Sequence, residues 1–174
     1  MDVYVLPNNK NIVMAAEQAA RLARTSGVRH IHVVPTTTIP QGISAMMAYD
    51  ESAEIKDNVE AMQEAASRVQ SGSVTFAARD SDYDGHQIKE GELLALENGK
   101  VAFTGTDLGS VTAKVAKDLM QEDSQFITLL YGADVSEEQA ADVEEAVRSL
   151  LPEEVELTVA YGGQPVYYFL ISVE

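Results

Sequence analysis

His30-Ile31-His32-Val33-Val34 runs straight into Pro35-Thr36-Thr37-Thr38-Ile39-Pro40-Gln41-Gly42. An apolar strand of this kind, closed by a proline and followed by a polar turn, marks the end of a sheet strand in an α/β protein. A second turn of the same character, Tyr161-Gly162-Gly163-Gln164-Pro165, lies between the apolar runs 155–160 and 166–173. Turns at the ends of sheet strands are where open α/β folds hold their ligands, so Thr36, Thr37, Thr38, Gln41, Gly162, Gly163 and Gln164 form the candidate ligand loops.

Upstream of the first turn, residues 3–6 predict a short strand, and Pro7-Asn8-Asn9 is suited to opening a helix. Over 11–24, Ile12, Ala16, Ala19 and Ala23 share one face of that helix. Downstream, 41–49 predict a short helix carrying Ile43, Met46 and Met47. Ile55, Val59, Met62, Ala66 and Val69 then repeat at spacings of 4, 3, 4 and 3, an amphipathic helix whose opposite side is acidic. Strand, helix, strand and helix in this order imply a parallel first lobe over 1–71.

From Ser71-Gly72 the period becomes two, with Val74, Phe76 and Ala78 alternating with polar residues. Asn98-Gly99 between two apolar runs predicts a two-residue hairpin turn, with Glu97 opposite Lys100, Leu96 opposite Val101 and Leu94 opposite Phe103. Thr106 or Asp107 caps a helix that turns Val111, Val115 and Leu119 inward. Ser136-Glu137-Glu138-Gln139 is a capping box for a helix burying Ala140, Val143, Val147 and Leu150 and stopped by Pro152. The strands 126–131, 155–160 and 166–173 complete a mixed, largely antiparallel second lobe over 72–174. The fold class is therefore α/β, in two small lobes.

The 174 residues are 45% apolar, enough for a core, and contain no cysteine, which removes disulfides, thiolate metal sites and a cysteine nucleophile. No apolar run reaches the roughly 18 residues needed to span a bilayer, and no charged-then-apolar leader opens the chain, so a cytoplasmic location without membrane insertion is expected. Twelve Lys and Arg against 28 Asp and Glu leave a net charge of −16. That sign repels nucleic acid and draws in basic partners.

Several motifs carry little chemistry. Asp80-Ser81-Asp82-Tyr83-Asp84-Gly85 copies the start of a calcium loop, but its twelfth position is Gly91, where a bidentate carboxylate is required, so an acidic turn is expected. His30 and His32 lie two apart on one strand with no third ligand beside them, a partly buried polar pair rather than a metal site. The Thr-rich turn lacks the glycines and lysine of a phosphate loop and the histidine base of a hydroxyl nucleophile. Its two open readings are a carboxylate or phosphate site and a structural turn whose hydroxyls serve the local backbone.

Together with Asn11-Ile12-Val13-Met14-Ala15-Ala16-Glu17-Gln18-Ala19, Asp57-Asn58-Val59-Glu60-Ala61-Met62 and the ending Leu170-Ile171-Ser172-Val173-Glu174, the two turns resemble the C-terminal domain of fatty acid kinase A, the kinase half of a two-component enzyme related to the dihydroxyacetone kinases. The resemblance implies a two-lobed fold similar to the DegV-like fatty-acid-binding carriers. It implies a domain without catalytic residues of its own, ATP and magnesium being handled by other domains of the kinase. Its implied role is to dock the basic, fatty-acid-loaded carrier so that acyl phosphate can be made. Asp50, Glu51, Glu54, Asp57, Glu60 and Glu64 are the candidate docking residues, with Glu138, Asp142 and Glu145 as a competing patch. The alternatives are a DegV-like protein that itself binds a fatty acid or small carboxylate, and a hydrolase or phosphatase. The segment that corresponds to the carrier's second-lobe turn lacks its histidine and its Gly-Pro-Gly.

Overall fold

The computed structural model describes residues 2–27, 30–83 and 86–174. The chain divides into two compact units, Met1–Val69 and Gln70–Glu174. In the first, β1 (Asp2–Val5) and β2 (His30–Val33) pair in parallel, with Val3 opposite Ile31 and Val5 opposite Val33. The connection between them is α1 (Val13–Thr25), and α2 (Ile39–Met47) and α3 (Ile55–Arg68) follow β2. Val34, Ala45, Met62 and Ala66 form the core of this unit, with Tyr4 and Leu6 packed against it.

Two helical faces differ from their expected phase. Ile12 is the N-cap of α1 and exposed, so the first inward position falls to Val13 and the inner face becomes Val13, Ala16, Ala20 and Ala23, with Ala19 outside. On α3 the buried positions are Asn58, Met62 and Ala66; Ile55 leans outward, and Val69 is buried only after the helix has ended. A polar residue thus holds the first buried turn of α3.

The second unit is built on a sheet ordered β7-β6-β3-β10-β8-β9, from β3 (Gln70–Phe76), β6 (Leu93–Glu97), β7 (Lys100–Gly105), β8 (Phe126–Tyr131), β9 (Glu156–Tyr161) and β10 (Tyr167–Val173). Only β8 and β9 are parallel; every other pair in this sheet is antiparallel. A short hairpin, β4 (Ser81–Tyr83) and β5 (His86–Ile88), projects between β3 and β6. Gln70 and Ser71, placed by sequence at the end of the first lobe, pair with Val173 and Ser172 and so belong to this sheet.

Helix α4 (Leu108–Leu119) packs on β3, β6 and β10, and α5 (Glu137–Arg148) packs on α4 and β9. Asp107 caps α4 by accepting the Ser110 N–H at 2.8 Å. The capping box of α5 is complete, with Ser136 Oγ accepting from Gln139 N and Gln139 Oε1 accepting from Ser136 N. Val111, Val115, Leu119, Ala140, Val143 and Val147 are all buried in one core with Val74, Ile127, Leu129, Phe169 and Ile171. The side chains of α4 approach the β3 backbone closely at Gly72, where an added Cβ would lie 2.5 Å from Val115 Cγ1.

The Asn98-Gly99 turn has positive φ at both residues (47° and 78°), as a type I′ turn requires, and sets Glu97 opposite Lys100 and Leu96 opposite Val101. The expected pairing of Leu94 with Phe103 is not formed. A bulge at Ala102 advances β7 by one residue, so Ala95 faces Phe103 and Leu94 faces Thr104. Alternation along β3 also stops early. Val74 is buried, Phe76 is exposed beside the Tyr168 ring (5.9 Å), and Ala77 rather than Ala78 is buried because the strand ends at Phe76. At the end of α5, Leu151 is buried and Leu150 exposed, since the helix stops at Arg148.

Candidate functional site

The Thr-rich turn joins β2 to α2 as a closed network. Thr36 is buried; its hydroxyl donates to Asn8 Oδ1 at 2.8 Å and accepts from Asn8 N at 3.3 Å. Asn8 holds positive φ (55°) and its carboxamide lies against Gly42, leaving no space there for a side chain. Thr38 is the N-cap of α2, its Oγ1 accepting from Gln41 N, and Pro40 fits the first turn because a proline lacks only an N–H that has no helical partner. The side-chain carbonyl of Gln41 accepts both the Thr37 N–H (2.8 Å) and the Thr37 hydroxyl (2.9 Å). That carbonyl stands in the position from which a ligand carboxylate oxygen would accept the same two bonds. Beside it lies a cleft of about 320 Å³ lined by Val34, Pro35, Gln41, Gln63, Ala66 and Ser67.

The glycine turn belongs to the second unit and carries the chain from β9 to β10 past the end of β8. Gly162 N and Gly163 N both donate to Tyr131 O, at 2.9 and 3.2 Å, and Gln164 Nε2 donates to Leu130 O at 2.8 Å. Gly163 holds φ +67°. Val166 holds φ +73°, a conformation that costs a β-branched residue on the order of 1–3 kcal/mol, and its carbonyl accepts the Thr75 hydroxyl at 2.7 Å. Backbone amides that a ligand would need here are directed at the end of β8.

The six candidate docking acids occupy the loop between α2 and α3 and the outer side of α3, and all are exposed. The Asp50 carboxylate accepts the Ser52 hydroxyl (2.7 Å) and the Ser52 N–H (2.8 Å), which hold its pKa below the usual value. Asp57 lies in the first turn of α3, where the helix dipole favours a negative charge. Glu60 pairs with Lys56 at 3.6 Å and Glu64 with Arg68, each one helical turn apart. The negative field of the surface is therefore concentrated on Asp50, Glu51, Glu54 and Asp57. Glu138, Asp142 and Glu145 are exposed on α5 in the other unit.

The residue that organises this surface is not one of the candidates. Asn58, 2% exposed, accepts the Asp50 N–H at 2.8 Å and donates to Asp50 O at 2.7 Å and to Ala53 O at 3.4 Å, fixing the acidic loop to α3. Its spacing of four from Met62 and eight from Ala66 puts it on the core face, which is the signal for it in the sequence.

Of the remaining motifs, Asp80 Oδ1 accepts the Glu90 N–H at 2.7 Å within the β4–β5 region, while Asp84 and Gly85 of the calcium-like stretch lie outside the described residues. His32 is half-buried, 3.2 Å from Asp2 Oδ1 and against the Tyr4 ring; His30 is exposed, so the pair is not jointly buried. Among the described residues no three His, Asp or Glu side chains converge as metal ligands. Among them, too, no helix is long and apolar enough to cross a membrane.

The profile of the family of C-terminal domains of fatty acid kinase A-like proteins matches residues 1–174. An uncharacterized protein of Staphylococcus haemolyticus is 41% identical over 170 residues, and Protein YloV of Bacillus subtilis 38% identical over 172; these alignments cover 98% and 99% of this chain. The chain spans 30% of the length of each of these relatives. Its fold is that of a DegV family protein from Corynebacterium glutamicum (TM-score 0.62, 14% identity, 99% of this chain and 74% of that one). It is similar also to the dihydroxyacetone kinase of C. freundii in complex with AMP-PNP and Mg2+ (0.69, 15%, 98% and 38%) and to the Streptococcus pneumoniae fatty acid kinase B3 protein loaded with linoleic acid (0.62, 12%, 98% and 70%).

Proposed function

The chain belongs to the family of fatty acid kinase A-like C-terminal domains, and from that premise we propose that it is the docking domain of a two-component fatty acid kinase. It does no chemistry itself. It receives the basic, fatty-acid-loaded carrier on the acidic surface of Asp50, Glu51, Glu54, Asp57, Glu60 and Glu64, so that the acyl carboxylate reaches the other domains of the kinase, where acyl phosphate is made.

The observation that supports this reading is the division of labour on α3. Its inner face, Asn58, Met62 and Ala66, is committed to the core and to clamping the loop, and its outer face carries exposed acid, of which Glu60 and Glu64 are paired along the helix and Asp57 lies in its first turn. Exposed charge of one sign accelerates encounter with a complementary surface more than it deepens affinity, over a range of about 8 Å at physiological salt. Changing Glu54, Asp57 and Glu60 together to lysine is expected to slow carrier association at least tenfold and flatten its salt dependence, with the fold retained at a small loss of thermal stability as the Asp57 dipole interaction and the Lys56–Glu60 pair are removed. Carrier binding that is unaffected by this change and insensitive to salt contradicts the electrostatic reading.

One observation favours a second reading, in which the domain binds a fatty acid or small carboxylate itself. The cleft of about 320 Å³ beside Thr37 and Gln41 lies at the lower end of ligand-pocket sizes. A ligand there would have to displace the Gln41 side-chain carbonyl from Thr37. A concentration-dependent rise in melting temperature with free fatty acid, in the absence of carrier, would establish it.

A further inference from the structure

Helix α2 is turned inside out. Its inward positions are small or polar, with Pro40, Gly42, Ser44 and Ala45 buried, and its outward positions are Ile39, Ile43, Met46 and Met47. Spaced at i, i+4, i+7 and i+8, these four fall within one arc of the helix, and no polar residue lies within that arc. Met46 is 64% exposed and Met47 83% exposed. Tyr49 extends the same apolar stretch beyond the helix, exposed at one edge and packed against the Tyr4 ring at 5.4 Å.

Nothing inside the unit explains this arrangement. A solvated helix places charge outside and large apolar groups inside, and a contiguous exposed patch of the opposite kind marks an interaction site. Methionine at its centre is suited to such a site, because an unbranched thioether moulds to a partner without being strained when free. Directly after Tyr49 the chain enters the acidic loop, Asp50, Glu51 and Glu54, held against α3 by Asn58. An apolar centre beside a fixed charged rim is the composition of a protein interface.

We propose that the Ile39–Met47 face of α2 is the apolar centre of the docking surface whose rim is the acidic loop, and that its occupant is a protein surface with an apolar centre bordered by Lys and Arg. The inference rests on the docking reading above and assigns that partner's contact a second, independent component. Charge complementarity commits the occupant, since the loop next to the patch is acidic and the chain carries a net charge of −16. The two components act on different rates. The acidic rim sets the speed of encounter, and the methionines and isoleucines, covered only when the partner docks, set the lifetime of the complex.

The test is binding kinetics between the 174-residue chain and the fatty-acid-loaded carrier of the same organism, with Met46→Ser/Met47→Ser compared against Glu54→Lys/Asp57→Lys. The serine pair is expected to raise the dissociation rate at least tenfold while leaving the association rate, its salt dependence and the melting temperature of the chain unchanged. Met47→Lys is expected to weaken binding more than Met47→Glu, because the facing rim is basic. If the serine pair leaves dissociation within twofold of the parent while the lysine pair slows association, the α2 face is not the centre and the docking reading survives. If the parent chain does not bind the carrier, both fall. If the parent self-associates in sedimentation and the serine pair is monomeric, the occupant is a second copy of this chain and the proposal is overturned.

Discussion

Asn58 holds Asp50 from both sides: the side-chain carbonyl accepts the Asp50 N–H at 2.8 Å, and the side-chain NH2 donates to the Asp50 carbonyl at 2.7 Å. The pair ties the start of the acidic loop to the first buried turn of α3, so one residue serves both the core and the surface. Replacing Asn58 with Ala leaves the backbone N–H and C=O of Asp50 without their partner. The expected cost is about 1–2 kcal/mol of stability, for bonds lost in a part-buried position. Asn58→Asp keeps an acceptor for the Asp50 N–H but sets a buried carboxylate against the Asp50 and Ala53 carbonyls, and is expected to cost at least as much as Ala in chemical denaturation at neutral pH. An Ala variant as stable as the parent would remove Asn58 from this role.

Thr112 sits in the middle of α4, fully buried, and its hydroxyl has no hydrogen-bond partner. Valine has nearly the same shape and no group to desolvate. Thr112→Val is expected to stabilise the second unit by about 1 kcal/mol, read as a shift in denaturation midpoint without a change in slope. A loss of stability would mean that the hydroxyl is satisfied in solution.

Glu97, at the end of β6, has its pKa raised, first by burial and then by Asp118, with Lys114 opposing. A carboxyl whose pKa is higher in the folded than in the unfolded chain contributes stability when protonated, and that contribution is lost as pH rises through the folded value. Near neutral pH the ionised group therefore opposes folding. Glu97→Gln, which mimics the protonated form, is expected to raise the melting temperature at pH 7 and to have no effect below about pH 4, where the carboxyl is protonated in both states. Equal effects at both pH values would assign the change to packing instead of charge.

What the sequence reveals and what it conceals divide along a physical line. Signals that are complete within a few residues are legible: the positive-φ demand of Asn98-Gly99, the reciprocal bonds of Ser136 and Gln139, and the Asp107 cap. The bulge at Ala102 is not. β7 ends at Gly105 directly against Val111 of α4, and nothing in 100–105 encodes that contact. The phase of α1 departs from its apolar pattern because Ile12 is apolar and adjacent to the helix, yet serves as its cap. Of the candidate site, the exposure of the acids follows from the amphipathic period of α3. The engagement of Thr36 with Asn8 and of Thr37 with Gln41 does not, since the first partner lies 28 residues away in sequence and the second acts through a side chain.

The core of the first unit, Val34, Ala45, Met62 and Ala66 under a two-stranded parallel pair, is far smaller than the core beneath the six-stranded sheet. Two strands and so few buried side chains leave little reserve against opening, and a unit with little reserve is the one whose population responds most to whatever binds it. A partner seated on α2 and the acidic loop would add its binding free energy to the folding of that unit alone. Occupancy by the proposed partner would then be written into the chain as resistance to proteolytic cleavage between α2 and α3.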